Sequence, residues 1–297
     1  QSLQPGLSNG RNVVVTSGTG SGKTESFLLP MLTRLVAESS SWPADAPLHP
    51  WWDTPKATWA GVRSNSNRAA AVRAIVLYPT NALVEDQITR LRRAVRSISE
   101  SGGRQLWFGR YTGSTLGSGA PPASSKDSKR VQATAKELRA MIAEYDSLEG
   151  TKVPLDQFPD PRQGEMLTRW EMVTHPPDVL VTNYSMLNAM LMRDVEEPMF
   201  AATRSWLASD ESHVLSLVID ELHLYRGTQG SEVAMIVRNL LGRLGLDPDS
   251  PQLRCIATSA SLTDNDDGLD FLEQFFGVPR PSFYVTPGEP RSLDVEL

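Results

Sequence analysis

The stretch Val13-Val14-Val15-Thr16-Ser17-Gly18-Thr19-Gly20-Ser21-Gly22-Lys23-Thr24 decides the reading of this chain, because a hydrophobic strand runs there into a glycine-rich turn and then into a helix. A triphosphate is polyanionic, and backbone N–H groups reach it only where side chains are absent, which Gly18, Gly20 and Gly22 provide. Lys23 then meets the β and γ phosphates as a point charge, and the hydroxyl of Thr24 suits a magnesium ion. The strict pattern asks for glycine where this chain has Ser17. A plain turn that happens to end in lysine is the alternative, and the strand before and helix after argue against it.

Composition sets the outer bounds. The 297 residues, 40% hydrophobic and 22% charged, are those of an ordinary globular chain. The longest apolar runs, such as Val214 to Ile219, fall far short of the roughly 18 residues a membrane span needs, and no basic-then-apolar signal opens the chain. A cytoplasmic protein without a membrane partner is expected. Cys255 is the only cysteine, which excludes a disulfide framework and gives it a packing role. A net charge of −6 excludes a generally basic nucleic-acid-coating protein and leaves room for a local basic strip. The chain opens at Gln1 without methionine and closes on polar residues, as a segment of a longer protein would.

Outward from the loop, Phe27, Leu28, Met31, Leu32, Leu35 and Val36 have helical spacing up to Ser39, with Pro30 predicting a kink rather than a break. Residues 40–72 change character, with four prolines and Trp42, Trp51, Trp52 and Trp59. Such a stretch is an insertion or long loop, whose tryptophans either stack the bases of a single strand or pin the loop to the domain. Arg73 to Tyr78 predicts a strand, followed by Pro79-Thr80-Asn81 and a helix carrying Arg90, Arg92, Arg93 and Arg96. This local positive strip is where a phosphate backbone is expected. Gln105 to Tyr111 predicts a strand ending on Thr112-Gly113, a small hydroxyl beside bare backbone. A second insertion, about 115–176, reads as too polar for the core. Strands return at Val179 to Thr182, Val214 to Ile219, Leu253 to Thr258 and Ser282 to Val285, with helices between them. Strands alternating with helices predict an α/β fold, a parallel sheet with helices on both faces and two polar insertions.

The second sharp signal is Asp220-Glu221-Leu222-His223, at the carboxyl end of an apolar strand. Two adjacent carboxylates there are costly unless a cation or a reaction needs them. With a phosphate loop upstream, Asp220 holds magnesium and Glu221 polarises the attacking water; a helix start that merely favours acids is the bland alternative.

Six motifs in order, Ser17 to Thr24, Pro79 to Gln87, Thr112-Gly113, Thr182 to Leu187, Asp220 to His223 and Thr258 to Leu262, resemble the first RecA-like motor domain of superfamily two DExH-box helicases. Glu221 to Gly227 looks most like the Lhr and MrfA-like branch and like helicase subunits of phage-defence systems. The resemblance implies a RecA-like P-loop NTPase domain over residues 1–290, a linker at 291–297, and a second RecA-like domain across the cleft that supplies an arginine finger. It implies ATP and Mg2+ as cofactors, with Ser17, Gly18, Thr19, Gly20, Ser21, Gly22, Lys23, Thr24 and Glu25 around the nucleotide and Gln1 sensing adenine. Glu221, Lys23 and Asp220 become the hydrolytic residues, and Thr24 and Asp220 the metal ligands. Thr80, Asn81, Arg90, Thr112, Gly113, Thr182 and Asn183 fall on the strand-tracking motifs, and His223, Ser259, Ala260 and Ser261 on those that couple nucleotide state to movement. The implied partner is nucleic acid, single-stranded DNA by family preference, with other subunits of a repair or defence complex. The implied activity is an ATP-driven helicase or translocase; the alternative is a nucleotide-sensing scaffold or clamp that unwinds nothing.

Overall fold

Short aliphatic runs pair into one sheet whose strands all lie parallel. The computed structural model describes residues 10–16, 23–54, 56–123 and 127–287, with Lys23 and Pro287 described by backbone alone. Among them are strands β1 (Asn12–Thr16), β2 (Ala74–Tyr78), β3 (Phe108–Tyr111), β4 (Glu165–Met166), β5 (Val179–Asn183), β6 (Leu215–Ile219), β7 (Leu253–Ser259) and β8 (Phe283–Pro287). They lie in the order β4-β3-β5-β2-β6-β7-β1-β8, every pair parallel. Parallel strands need crossovers, and these carry helices onto both faces.

The pleat sorts side chains between the two faces. Ala74, Val76 and Tyr78 of β2 pack with Phe27, Met31 and Leu35 of α1 (Lys23–Ser39) and with Val84, Ile88 and Leu91 of α2 (Asn81–Glu100). Ile75 and Leu77 face the other layer. That layer is built from α3 (Ser128–Leu148), α4 (Arg169–Thr174), α5 (Tyr184–Leu191), α6 (Glu197–Ser209), α7 (Gly227–Leu244) and α8 (Asp266–Phe276). Helix α1 passes through Pro30 and continues to Ser39, in line with a helix that is not broken there. Cys255 is buried among the apolar side chains of this second layer, which pushes its thiol pKa up.

The two polar insertions correct the sequence reading. Val131, Ala135, Leu138, Met166, Trp170, Met172 and Val173 of the second insertion all lie in the main core, with α4 and β4 unanticipated. Polarity averaged over the segment hid one apolar face on each short element. The two insertions also clasp each other: Glu171 accepts from the indole N–H of Trp51 at 2.6 Å and from the backbone N–H of Val62 at 2.9 Å, and Trp59 meets Trp170 edge-on at 6.4 Å. Trp42, Trp51 and Trp52 are buried. Burying about 200 Å² of each ring is worth roughly 5 kcal/mol, against the roughly 1–3 kcal/mol that stacking a base returns. These rings are therefore anchors of the fold, as the second of the two sequence readings has it.

Candidate functional site

All strands being parallel, their carboxyl ends share one edge of the sheet, and every motif singled out above that lies in the described residues follows one of those ends. Along the edge the order is Thr112-Gly113 after β3, Asn183 closing β5, Thr80-Asn81 after β2, Asp220-Glu221 after β6, Ser259 closing β7, and Thr16 closing β1. The strand-tracking candidates thus occupy one half and the hydrolytic candidates the other. Ser17, Gly18, Thr19, Gly20, Ser21, Gly22 and Gln1 lie outside the described residues, as does the side chain of Lys23.

Strand β6 delivers Asp220 as a buried carboxylate whose backbone N–H continues the ladder to the Leu77 carbonyl at 3.1 Å. The adjacent strand orients it: the Thr258 hydroxyl donates to Asp220 Oδ1, while the Glu221 N–H donates to both Thr258 Oγ1 and Asp220 Oδ1, each at 3.0 Å. Glu221 itself has φ 52° and ψ 46°, the one non-glycine residue with positive φ among the described residues. Left-handed backbone costs about 1–2 kcal/mol for such a residue. The turn sets Leu222 into the core and leaves Glu221 and His223 half-buried side by side, with His223 Nδ1 3.2 Å from Glu221 Oε2.

His223 also reaches the neighbouring motif. Its Nδ1 accepts from the Ala260 N–H at 3.3 Å. The two partners of that nitrogen want opposite states, since a bare nitrogen accepts from Ala260 and a protonated one donates to Glu221. Ser259 is buried and its hydroxyl accepts from the Ser261 N–H at 3.4 Å. Arg226 then donates to the Ser261 hydroxyl at 3.0 Å. Arg226 and Thr258 were not among the expected site residues, although both stand inside stretches quoted for the resemblance. What points to them is that their neighbours in sequence already belong to the site.

The strand-tracking candidates are mostly engaged in local hydrogen bonds, Asn183 and Asn81 with each other. Asn183 donates from Nδ2 to Asn81 Oδ1 at 2.6 Å, and its Oδ1 caps α5 by accepting from the Met186 N–H at 2.8 Å. Thr80 caps α2, accepting from the Leu83 N–H at 3.5 Å. Thr182 is buried and donates to the Tyr111 carbonyl at 2.6 Å, so its hydroxyl shapes the strand end. Thr112 is buried too, its N–H donating to Thr115 Oγ1 at 2.9 Å. Buried Arg169, also unanticipated, donates to the carbonyls of Thr112 and Gly113 at 2.6 and 3.0 Å and so fixes that turn. A side chain added at Gly113 would meet nothing within 4 Å, so this bare backbone faces open space.

The basic strip on α2 requires a correction. Buried Glu165 takes both forks of Arg92 at 2.7 and 2.8 Å, and Asp156 pairs with Arg93 at 2.7 Å and Arg96 at 3.5 Å. The second insertion supplies carboxylates to most of this face, so Arg92 and Arg96 tie the insertion to the helix, while Arg93 makes its pair at the surface. Arg90 pairs instead with Glu25 of α1 at 2.6 Å, both side chains being largely exposed. Such a surface pair is worth about 0–1 kcal/mol and gives way readily to a phosphate.

Thr24 stands one residue into α1. A threonine hydroxyl and an aspartate carboxylate are hard oxygen donors, the set that magnesium takes beside substrate phosphates, so Thr24 and Asp220 fit that ion chemically. Among the described residues no cluster of three or more His, Cys, Asp or Glu side chains offers another metal centre, and no helix is long and apolar enough to cross a membrane.

Comparison with known proteins finds helicases. A family model described as DEAD/DEAH box helicase matches residues 1–153. The Druantia protein DruE of Escherichia coli (strain UMEA 4076-1) is 35% identical over 311 residues, covering 90% of this chain and 16% of that protein. The chain thus spans about a sixth of the length of that relative. Among solved structures, the DUF1998 helicase MrfA bound to DNA is similar with a TM-score of 0.50 at 21% identity, covering 96% of this chain and 26% of its own. The Mycobacterium smegmatis helicase Lhr bound to ssDNA and AMP-PNP gives 0.52 at 19% identity, covering 97% and 25%. At these identities the two structures speak for the fold alone.

Proposed function

Because this chain belongs to the DEAD/DEAH box helicase family, as the first RecA-like domain of a superfamily two motor, we propose that it binds ATP at residues 17–24 and hydrolyses it against a second RecA-like domain to move along single-stranded DNA. Family membership favours a motor over a scaffold that unwinds nothing. The observation that carries the proposal is the tie at the sheet edge, where Asp220 and Glu221 are fixed by Thr258 and Glu221 is linked through His223 to Ala260.

In this reading Ser17, Gly18, Thr19, Gly20, Ser21 and Gly22 cradle the phosphates by backbone N–H groups, and Lys23 meets the β and γ phosphates. Thr24 and Asp220 hold Mg2+, which when bound neutralises phosphate charge. Glu221 accepts a proton from the attacking water, and its fixed backbone keeps the carboxylate aimed. His223 reports the state of Glu221 to Ala260, and Ser261 passes it to Arg226. Thr80, Asn81, Arg90, Gly113 and Asn183 meet the sugar-phosphate backbone, with Thr112 and Thr182 shaping the turns that present it. Residues 1–290 form the domain and 291–297 lead to the second one, which supplies the arginine finger; its loss costs on the order of 10³–10⁵ in rate, so the isolated chain turns over slowly. DNA is proposed because the two similar helicases were seen bound to it. A cytoplasmic place, within a defence or repair assembly, completes the reading.

The test is strand displacement by the intact parent protein and by its Glu221→Gln variant. Lost displacement with retained DNA binding is expected. Displacement that survives the substitution would refute the role given to Glu221.

A further inference from the structure

At the edge of the sheet opposite the motifs lies a cavity of about 280 Å³, walled in part by Pro43, Leu48, Arg63, Ser66, Arg68 and Trp107. Trp107 immediately precedes β3, and the segment carrying Arg63 and Arg68 leads into β2, so five residues of strand, roughly 16 Å, separate the cavity from the motif edge.

Two guanidinium groups in this wall are short of partners. Arg63 is only 3% exposed. Its Nη1 donates to the Pro176 carbonyl at 3.0 Å, but its Nε and Nη2 are buried with no protein acceptor. Arg68 donates from Nη2 to Asp178 Oδ2 at 2.8 Å, while its Nη1 is likewise buried and unmatched. Aromatic faces hold both groups in place, Arg63 lying 5.4 Å from the Trp107 ring centroid and Arg68 3.8 Å from that of Trp42. Buried donors without acceptors are rare in folded proteins because each carries its full desolvation cost.

The nearby carboxylates are already engaged. Asp178, fully buried, is divided among Arg68, Arg73 and the Trp107 N–H. Glu38 pairs with Arg73 at 2.6 Å. Glu171 accepts from Trp51 and Val62, and its burial pushes its pKa up to about 7. Asp45, in the cavity wall, accepts from the Gln105 N–H at 3.0 Å. Arg162 at the rim is paired with Asp160 and Asp146. What Arg63 lacks is acceptors for its Nε and Nη2 groups, and its burial draws its pKa down to about 10. An anion supplies what that group lacks, and the proline, leucine and tryptophan carbon around it suits an apolar body.

We propose that this cavity binds a small organic oxyanion, a carboxylate or a phosphate monoester on an apolar body, with Nε and Nη2 of Arg63 as a forked donor, Nη1 of Arg68 as a single one, and Pro43, Leu48 and Trp107 as the wall.

Inorganic phosphate also suits the glycine-rich loop, so the titration is made in a Lys23→Ala background. The chain is titrated calorimetrically with inorganic phosphate, phenyl phosphate and benzoate. One organic anion should bind at one-to-one stoichiometry and at least tenfold more tightly than inorganic phosphate, phenyl phosphate leading if the site takes phosphates and benzoate if it takes carboxylates. Arg63→Met should abolish that binding. Arg68→Lys keeps the charge but loses the unmatched Nη1 donor, should weaken binding several-fold, and decides the matter if Arg63→Met does not fold. Absence of one-to-one binding by either organic anion, or binding unchanged by these substitutions, would overturn the assignment.

Discussion

Replacing Thr258 by valine removes one hydroxyl and keeps the shape of a fully buried side chain. That hydroxyl donates to the buried Asp220 carboxylate and accepts from the Glu221 N–H. A hydrogen bond to a charged group is worth about 1.5–3 kcal/mol. The Glu221 N–H keeps its second acceptor, Asp220 Oδ1 at 3.0 Å, so no orphan donor adds to the loss. Thr258→Val should therefore cost about 2 kcal/mol, a fall in Tm of roughly 3 °C for a chain of this size. Thr258→Ser keeps the hydroxyl and gives up a methyl group, so it should cost only about 1 kcal/mol. Activity separates the pair further. In the intact motor, a carboxylate and a catalytic backbone set loose by a fraction of an ångström should lower kcat by roughly ten- to a hundredfold in Thr258→Val, with KM for ATP little changed. Melting curves and steady-state ATPase assays on both variants make the comparison. Equal stability of wild type and valine variant to within about 0.5 kcal/mol, with equal kcat, would refute the orienting role of Thr258.

Three further outcomes are expected. His223→Ala should leave KM for ATP near wild type while lowering the stimulation of ATPase by DNA several-fold, because it cuts the link between Glu221 and Ala260; full stimulation would show that coupling runs elsewhere. Asp178→Asn should cost about 3–5 kcal/mol, since it leaves buried Arg68 and Arg73 without their shared carboxylate; a melt within 2 °C of wild type, well inside the shift that cost implies, would contradict it. Glu171 has a folded pKa raised from 4.5 to about 7 by burial, so the folded state holds the extra proton between those values and stability falls as pH rises through that window. Tm measured from pH 5 to 8 should show that fall, and Glu171→Gln should flatten it; an unchanged slope would assign the effect to other groups.

The sheet and its motif edge were legible because each signal was local. Three valines before the glycine-rich turn, an apolar run before Asp220-Glu221, and alternating helices were enough to predict a parallel α/β sheet with helices on both faces. What the chain concealed was non-local. The acid partners of Arg92, Arg93 and Arg96 lie roughly 60–70 positions away, so a helix face that reads as a free positive strip is in fact an internal contact. Glu171 meets Trp51 across 120 positions, and neither residue alone signals that the two insertions form one body. The left-handed backbone at Glu221 was equally hidden, because a glutamate carries no mark of the conformation its neighbours impose.

The central claim, that this chain is the ATP-hydrolysing half of a nucleic-acid motor, is tested most directly by the ATPase rate of the intact parent protein with and without single-stranded DNA and single-stranded RNA, beside Lys23→Ala and Glu221→Gln. The account predicts strong stimulation by DNA that disappears in both variants. No stimulation by either polymer, or stimulation that survives Glu221→Gln, would contradict it.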